Sequence, residues 1–128
     1  MLLKGRSISK GTASGELLIT DKPISFLGGV NPKTGEIIDV NHPLAGICIA
    51  GKVLVFPFGK GSTVGSYVLY ALAKNNAAPV AIINKECETI IATGAIMAGI
   101  PAVDRIEGEL PKSGCVTVNG SEGYVEFE

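Results

Sequence analysis

The fold is set by residues 53–75, whose sequence is VLVFPFGKGSTVGSYVLYALAKN. The first four residues, Val53–Phe56, form a continuous apolar run rich in β-branched side chains, which is typical of a strand covered on both faces. Apolar residues then recur every four positions between residues 64 and 72, and this period predicts an amphipathic helix over residues 63–75. A buried strand followed by a helix indicates an α/β fold.

The rest of the chain consists of short apolar runs separated by turns, as 17 glycines in 128 residues suggest. We predict a second helix over Glu88–Ala98 that ends at Gly99. Residues 10–15 are predicted as a turn, residues 24–35 as a loop, and the last two strands as a hairpin. The predicted strands cover residues 4–9, 16–20, 37–40, 53–56, 79–84, 101–103, 115–118 and 124–127.

Composition limits the class of protein. A length of 128 residues predicts one domain, residues 1–128, and 46% hydrophobic against 18% charged residues can build a core. Because 11 basic residues face 12 acidic ones, we expect no nucleic-acid partner. No apolar run approaches the roughly 20 residues of a membrane helix, and the N-terminus does not resemble a signal peptide. We therefore expect no membrane partner and a cytoplasmic location.

The chain offers few metal-ligating or titratable candidates. Cys48, Cys87 and Cys115 are far apart, and a self-contained zinc site needs four ligands at closer spacing. We expect three buried thiols and no metal on this chain. The single histidine, His42, precedes a proline and is expected to be a turn residue. Asp104, like Asp39, is expected to be solvated.

The segment Gly59-Lys60-Gly61-Ser62 stands between the predicted strand and helix. Glycines let the backbone aim several N–H groups at one point, and a helix start adds roughly half a positive charge. An anion, or an oxygen that becomes one, is favoured there. The segment lacks the spacing of a Walker A loop or of a dinucleotide-binding loop. On this motif alone, the simpler interpretation is that Ser62 caps the helix.

Several short motifs follow one another along nearly the whole chain. They are SFLGGVNPKTG (25–35), HPLAG (42–46), GKVLV (51–55), GKGS (59–62), AP (78–79) and GAIMA followed by IP (94–101). In this order they resemble the aconitase X swivel-domain family, in the form of its phosphomevalonate dehydratase small subunits. The resemblance implies a single swivelling β/β/α domain similar to the aconitase swivel domain.

The resemblance also implies a reaction. Such a subunit forms a heterodimer with a large subunit, which carries a [4Fe-4S] cluster on its own cysteines. The pair is a hydro-lyase that dehydrates (R)-5-phosphomevalonate, a small phosphorylated carboxylate, to trans-anhydromevalonate 5-phosphate in an archaeal-type mevalonate route to isoprenoids. Ser62 matches the family's proton acceptor, and an iron of the cluster acts as the Lewis acid on the 3-hydroxyl.

The residues expected to bind the substrate or its anionic groups surround Ser62. They are Gly59, Lys60, Gly61 and Thr63, and the amides of Gly59-Lys60-Gly61 are expected to stabilise the serine alkoxide. The loop is also similar to the Gly-x-Gly-Ser-Ser-Arg run of the aconitase swivel domain. It departs from that run because Thr63 and Val64 follow Ser62, so no arginine is present to grip a carboxylate.

Two other functions stay open at this point. The chain could serve a related dehydratase that acts on another substrate, such as a hydroxyproline, or it could be a non-catalytic module whose loop holds an anion. The end of the chain also resembles the phosphohistidine swivel domain of phosphoenolpyruvate-utilising enzymes. Phosphoryl transfer is excluded there, because Ala92–Ala95 contains no histidine.

Overall fold

The longest strand, β3 (Thr12–Ile19), joins the two halves of an eight-stranded sheet in the computed structural model, which describes residues 1–128. Its first part pairs antiparallel with β7 (Cys115–Asn119). On the far side of β7 lies β8 (Tyr124–Glu126), and β1 (Leu2–Lys4) pairs with β8 at the edge of the sheet. This antiparallel half contains the closing hairpin, with Val118 opposite Val125. The hairpin prediction is therefore confirmed.

The last part of β3 belongs to the other half of the sheet, where it runs parallel to β4 (Val53–Phe56). Two further parallel strands follow, β5 (Ala81–Asn84) and β6 (Ala102–Asp104), and β2 (Arg6–Ser9) closes this edge antiparallel to β6. All four residues of β5 are buried, as expected for a strand covered on both faces. The strand order across the sheet is β1-β8-β7-β3-β4-β5-β6-β2.

Helices cover one face of the parallel half. They are α1 (Phe26–Gly29), a single turn in which Leu27 and Gly28 leave helical geometry, α2 (Gly65–Lys74) and α3 (Thr89–Ala98). Gly99 ends α3 in the left-handed conformation, with φ of 71°, as predicted. None of these helices is long and apolar enough to cross a membrane.

Two apolar cores separate three layers. Because neighbouring residues of a strand point to opposite faces, alternate residues of β4 and β5 enter different cores. The first core lies between the parallel half and the helices and includes Leu54, Phe56, Ile82, Leu69, Leu72, Ile91 and Ala95. The second lies between the two halves of the sheet and includes Val53, Ile83, Val103, Leu17, Val116, Val118 and Val125. The predicted α/β class and β/β/α layering are confirmed.

Three local predictions are wrong. The strand predicted over residues 4–9 is interrupted at Gly5, which separates β1 from β2. The turn predicted over residues 10–15 is limited to its first two residues, because Thr12–Gly15 pairs with β7, more than 100 residues away. Residues 37–40 form no strand: Ile37 makes only an isolated bridge to Val30, and Ile38–Val40 carries no strand pairing.

Asp104, expected to be solvated, is fully buried at the end of β6. Its carboxylate accepts two hydrogen bonds from the Arg6 guanidinium, at 2.9 and 2.7 Å, and one from the Cys87 amide at 2.7 Å. This pairing raises the pKa of Arg6 above its ordinary value, chiefly through the hydrogen bond to Asp104. A buried carboxylate is tolerated because its oxygens find charged and backbone donors. The pairing fastens the edge strand β2 to β6.

Replacing Asp104 by Ala should lower the free energy of unfolding by about 3 kcal/mol, because the Cys87 amide and the inward side of Arg6 lose their acceptor. Urea denaturation followed by circular dichroism measures this change. The matched control is Glu86→Ala, which removes an exposed carboxylate that pairs with Arg105 and should change stability little. Equal stability of Asp104→Ala and the native chain would contradict this account of the β2 edge.

Candidate functional site

The Gly59–Ser62 loop begins three residues after β4 and lies at the carboxyl edge of the parallel strands. Ile24 also holds this loop in place. It forms a parallel bridge with Gly59, and its carbonyl accepts the Lys60 amide at 3.0 Å. The carboxyl edge of parallel strands is where α/β proteins commonly bind ligands. The β4–loop–α2 unit predicted from residues 53–75 is therefore confirmed, and it puts Ser62 at this edge.

Both glycines of the loop are required by close packing. A Cβ atom on Gly59 would lie 2.5 Å from Cγ1 of Ile91 and 2.7 Å from Oε1 of Glu88. Gly61 has φ of +87°, and a Cβ atom there would lie 2.5 Å from Oγ of Ser25. A side chain at residue 59 would displace the loop from α3, whereas at residue 61 the left-handed backbone is what favours glycine. The glycines thus allow Ser62 to be presented on a closely packed backbone.

Glu88 fixes the loop to the start of α3. Its carboxylate accepts the amides of Ile90 at 2.7 Å and Ile91 at 3.2 Å, which caps the helix, and Oε1 also accepts the Gly59 amide at 3.2 Å. One partly buried side chain therefore satisfies donors from two segments that are 29 residues apart. The position of the Gly59–Ser62 loop depends on this contact.

Ser62 is exposed, and its hydroxyl oxygen accepts the Val64 amide at 3.1 Å. Its carbonyl accepts the Gly65 amide at 2.9 Å, so Ser62 stands at the start of a turn that leads into α2. The regular helix begins at Gly65, and the bond from the Val64 amide to Oγ is the capping contact that the simpler interpretation of Ser62 predicts. A donor at 3.1 Å from Oγ, together with the positive end of α2, stabilises negative charge on that oxygen.

The free amides of the loop lie two residues further along the chain than expected. The Gly59 amide donates to Glu88 and the Lys60 amide to Ile24, so neither can reach an anion. The expectation that these two amides stabilise the alkoxide is wrong, because they hold the loop in place. The amides of Gly61, Ser62 and Thr63 donate no hydrogen bond within the chain. Three successive free N–H groups are available to bind an anion.

The side chains beside Ser62 are exposed and free to act on a ligand. Lys60 forms no ion pair within the chain, and neither its ammonium nor the Thr63 hydroxyl makes a hydrogen bond to protein atoms. One full positive charge and one hydroxyl thus flank the three free amides. The structure brings together all five predicted site residues, namely Gly59, Lys60, Gly61, Ser62 and Thr63, but assigns Gly59 a supporting position.

The remaining candidate residues lie apart from this loop. Nδ1 of His42 accepts the Leu44 amide at 3.0 Å, which makes His42 the turn residue that we predicted. The prediction of three buried thiols is wrong: Cys48 and Cys115 are exposed, and Cys87 is partly buried. No group of three or more His, Cys, Asp or Glu side chains is placed to hold a metal ion. The cysteines of this chain therefore do not fit a [4Fe-4S] cluster.

The comparisons with known proteins identify the family. The family model for the aconitase X swivel domain matches residues 2–127. The chain therefore belongs to the aconitase X swivel-domain family. A crystal structure of Thermococcus kodakaraensis aconitase X in its holo-form is similar, with a TM-score of 0.93 and 56% identity, and the match covers 98% of this chain and 97% of that chain. The predicted swivel-domain fold is confirmed.

Curated relatives agree over the whole length. The phosphomevalonate dehydratase small subunit of Methanosarcina acetivorans is 62% identical, and the match covers 98% of this chain and 90% of the relative. The protein of the same name from Thermococcus onnurineus is 60% identical, with coverage of 100% of this chain and 99% of the relative. The family resemblance that the ordered motifs indicated is confirmed.

Sequence reasoning missed two contributors to the site. Glu88 was recognised only as the start of a helix, and its contact with the Gly59 amide has no local sequence signal because the two residues are 29 positions apart. The Val64 amide was not named as a donor, although a cap at Ser62 accepts the amide two or three residues further on. An acidic residue directly before an apolar helix is a capping signal that could have drawn attention to Glu88.

Replacing Glu88 by Ala should lower the free energy of unfolding by about 1–2 kcal/mol, as the loss of a helix cap does. It should also speed hydrogen exchange at the Gly59 amide, because that donor loses its acceptor. Nuclear magnetic resonance measures the exchange at this single amide. Glu86→Ala removes a nearby carboxylate that does not touch the loop, and it should leave Gly59 unchanged. Unaltered Gly59 exchange in Glu88→Ala would contradict the anchoring.

The three thiols should differ in reactivity. Burial raises the pKa of Cys87 to about 12, and the Asp104 and Glu88 carboxylates act in the same direction. Since the thiolate is the reactive form, Cys87 should react much more slowly than Cys48 and Cys115 with a disulfide reagent at pH 8. Absorbance of the released reagent should show two thiols that react fast and one that reacts slowly, and the slow reaction should be absent in Cys87→Ser. Equal rates for all three thiols in the folded chain would refute the assignment of Cys87, whereas equal rates are expected after unfolding in urea.

Proposed function

We propose that the chain is the small subunit of a two-subunit hydro-lyase that dehydrates (R)-5-phosphomevalonate to trans-anhydromevalonate 5-phosphate, a step of a mevalonate-type route to isoprenoids. The observation that carries the proposal is an exposed serine oxygen, Ser62 Oγ, held by the Val64 amide beside three free amides. Its support is the match, over nearly all of the chain, to relatives named phosphomevalonate dehydratase small subunit.

Ser62 acts as the general base in this proposal. Its alkoxide removes a proton from the carbon next to the substrate carboxylate, and the electron pair of the broken C–H bond forms the new double bond. The neighbouring 3-hydroxyl leaves and, with one proton, becomes water. The Val64 amide donates to Oγ, and α2 places the positive end of its dipole behind it, so negative charge on this oxygen is stabilised.

The free amides and Lys60 bind the anionic groups of the substrate. Because the proton is taken from the carbon that bears the carboxylate, that carboxylate must lie beside Ser62, within reach of the Gly61, Ser62 and Thr63 amides. Lys60 adds a full positive charge next to this site, and the Thr63 hydroxyl adds a donor. Backbone amides and an ammonium thus take the place of the missing arginine.

The acid side of the reaction belongs to the partner. The term "small subunit" in the names of the relatives implies a larger subunit. We propose a heterodimer in which the larger subunit holds the [4Fe-4S] cluster, because the cysteines of this chain do not fit such a cluster. When bound, such a cluster supplies a Lewis acid for a hydroxyl. The three free thiols suit a reducing compartment, and we place the enzyme in the cytoplasm.

Two alternatives are separated by assay. A related dehydratase would act on another substrate, such as a hydroxyproline, and a plain anion-binding module would turn over nothing. The relatives that match over nearly their whole length are named for phosphomevalonate, which favours the first function. The reconstituted pair should therefore consume phosphomevalonate and leave hydroxyproline unchanged, whereas the isolated chain should be folded, colourless and inactive.

Replacing Ser62 by Ala should lower kcat about 10²–10⁴-fold, the usual contribution of a general base, because the neighbouring Glu88 carboxylate already accepts three backbone amides. Assembly with the large subunit should be unchanged, since the Ala side chain removes only one exposed oxygen. Steady-state dehydration of phosphomevalonate measures the effect.

The control for this variant is Ser113→Ala, at an exposed serine in the segment between β6 and β7, which should keep full activity. Turnover within a factor of two of the native enzyme in Ser62→Ala would remove Ser62 from the mechanism. Failure of the native pair to consume phosphomevalonate would remove the proposed substrate.

A further inference from the structure

Ser62 lies in a part of the surface that carries almost no charge. Residues 23–32, 61–73 and 89–103 contain no Asp, Glu, Lys or Arg, although such residues form 18% of the chain. The structure brings these three segments together: a Cβ atom on Gly65 would lie 3.2 Å from Ile90 and 3.6 Å from Phe26. A surface made of three uncharged segments is unusual for a chain that meets only water.

The two long helices lack the polar outer face that a surface helix normally has. Between them α2 and α3 contain a single charged residue, Lys74, at the far end of α2. Tyr67 is nevertheless 64% exposed, and Met97 is 40% exposed. Apolar side chains exposed on two neighbouring helices with so little charge favour contact with another protein.

Some of the exposed apolar side chains of α2 and α3 lie around one groove. A cavity of about 200 Å³ between α2 and α3 is lined by Thr63, Ser66, Tyr67, Thr89, Ile90, Thr93 and Met97. Thr63, which lines one end of the groove, directly follows Ser62 in the sequence. Near this end, the side chains of Leu27 and Val64 are 45% and 46% exposed. The groove-flanking surface, defined by Leu27, Val64, Tyr67, Ile90 and Met97, is therefore continuous with the Ser62 loop.

We propose that the groove-flanking surface is the docking site of the large dehydratase subunit, with Tyr67 and Met97 as its anchors. The proposal rests on the proposed function, which requires a partner directly at Ser62. A central apolar area with aromatic and methionine side chains and a charged rim, here Lys60, is typical of protein–protein interfaces. A second copy of this chain fits less well, because a self-associated pair on this surface would cover both Ser62 residues.

The first test measures affinity for the purified large subunit from the same organism. Tyr67→Glu and Met97→Glu should each weaken binding at least about 30-fold, the factor that corresponds to a ~2 kcal/mol interface hot spot. Leu2→Glu is the matched control: Leu2 is 46% exposed, but it lies on β1 in the antiparallel half, beyond both cores from the helices, and binding should stay within twofold. Thermal unfolding confirms that each variant is folded.

The second test needs no variant. The chain has two methionines, Met97 in the surface and Met1, which is 74% exposed and lies beside β1. Oxidation by tert-butyl hydroperoxide, read by mass spectrometry, should modify both in the isolated chain and only Met1 in the complex. Light scattering of the isolated chain shows whether it self-associates.

The outcomes are distinct for the two proposals. The docking site is overturned if both Glu variants bind the large subunit with native affinity and Met97 is oxidised in the complex. This result would not affect the proposed function, which is supported if Ser62→Ala abolishes turnover. An isolated chain that is a dimer, and that Met97→Glu turns into a monomer, also overturns it in favour of a second copy. A complex that forms through this surface but leaves phosphomevalonate unchanged supports the docking site and contradicts the proposed function.

Discussion

The Glu88 carboxylate holds together the two segments on which the site depends. It caps α3 through the Ile90 and Ile91 amides and also accepts the Gly59 amide, so the loop after β4 and the helix after β5 share one acceptor. This contact requires a backbone approach that only glycine allows at residue 59. Because the first loop amides are used as anchors, the next three stay free for an anion, and Ser62 lies among them.

The rest of the fold provides a stable platform for this edge. Two apolar cores pack the parallel half of the sheet from both sides, and the buried Asp104–Arg6 pairing closes its outer strand. The exposed residues Lys60, Ser62 and Thr63 belong neither to these cores nor to this pairing. Substitutions at these three residues should therefore leave the chain folded. The helices next to the loop carry a single charge, at Lys74, and expose apolar side chains.

Much of the architecture could be predicted from the sequence, because periodicity is a local signal. The change from a continuous apolar run to a four-residue repeat correctly located β4, the loop and α2, and Gly99 correctly ended α3. The errors arise from contacts between distant residues. Thr12–Gly15 is a strand only because β7 pairs with it, and Asp104 is buried only because Arg6 reaches it. The same limit hid the contact of Glu88 with Gly59, whereas the local glycine-rich motif drew attention to Ser62 and the family resemblance gave its expected role.

The central claim is that Ser62 Oγ transfers the proton at the carbon next to the carboxylate. The most direct measurement is hydration of trans-anhydromevalonate 5-phosphate by the assembled enzyme in D2O, with mass spectrometry and nuclear magnetic resonance locating the deuterium. The account predicts that the native pair incorporates one deuterium at that carbon and that the fully assembled Ser62→Ala pair incorporates almost none. Deuterium incorporation by the Ser62→Ala pair at the native rate would contradict it.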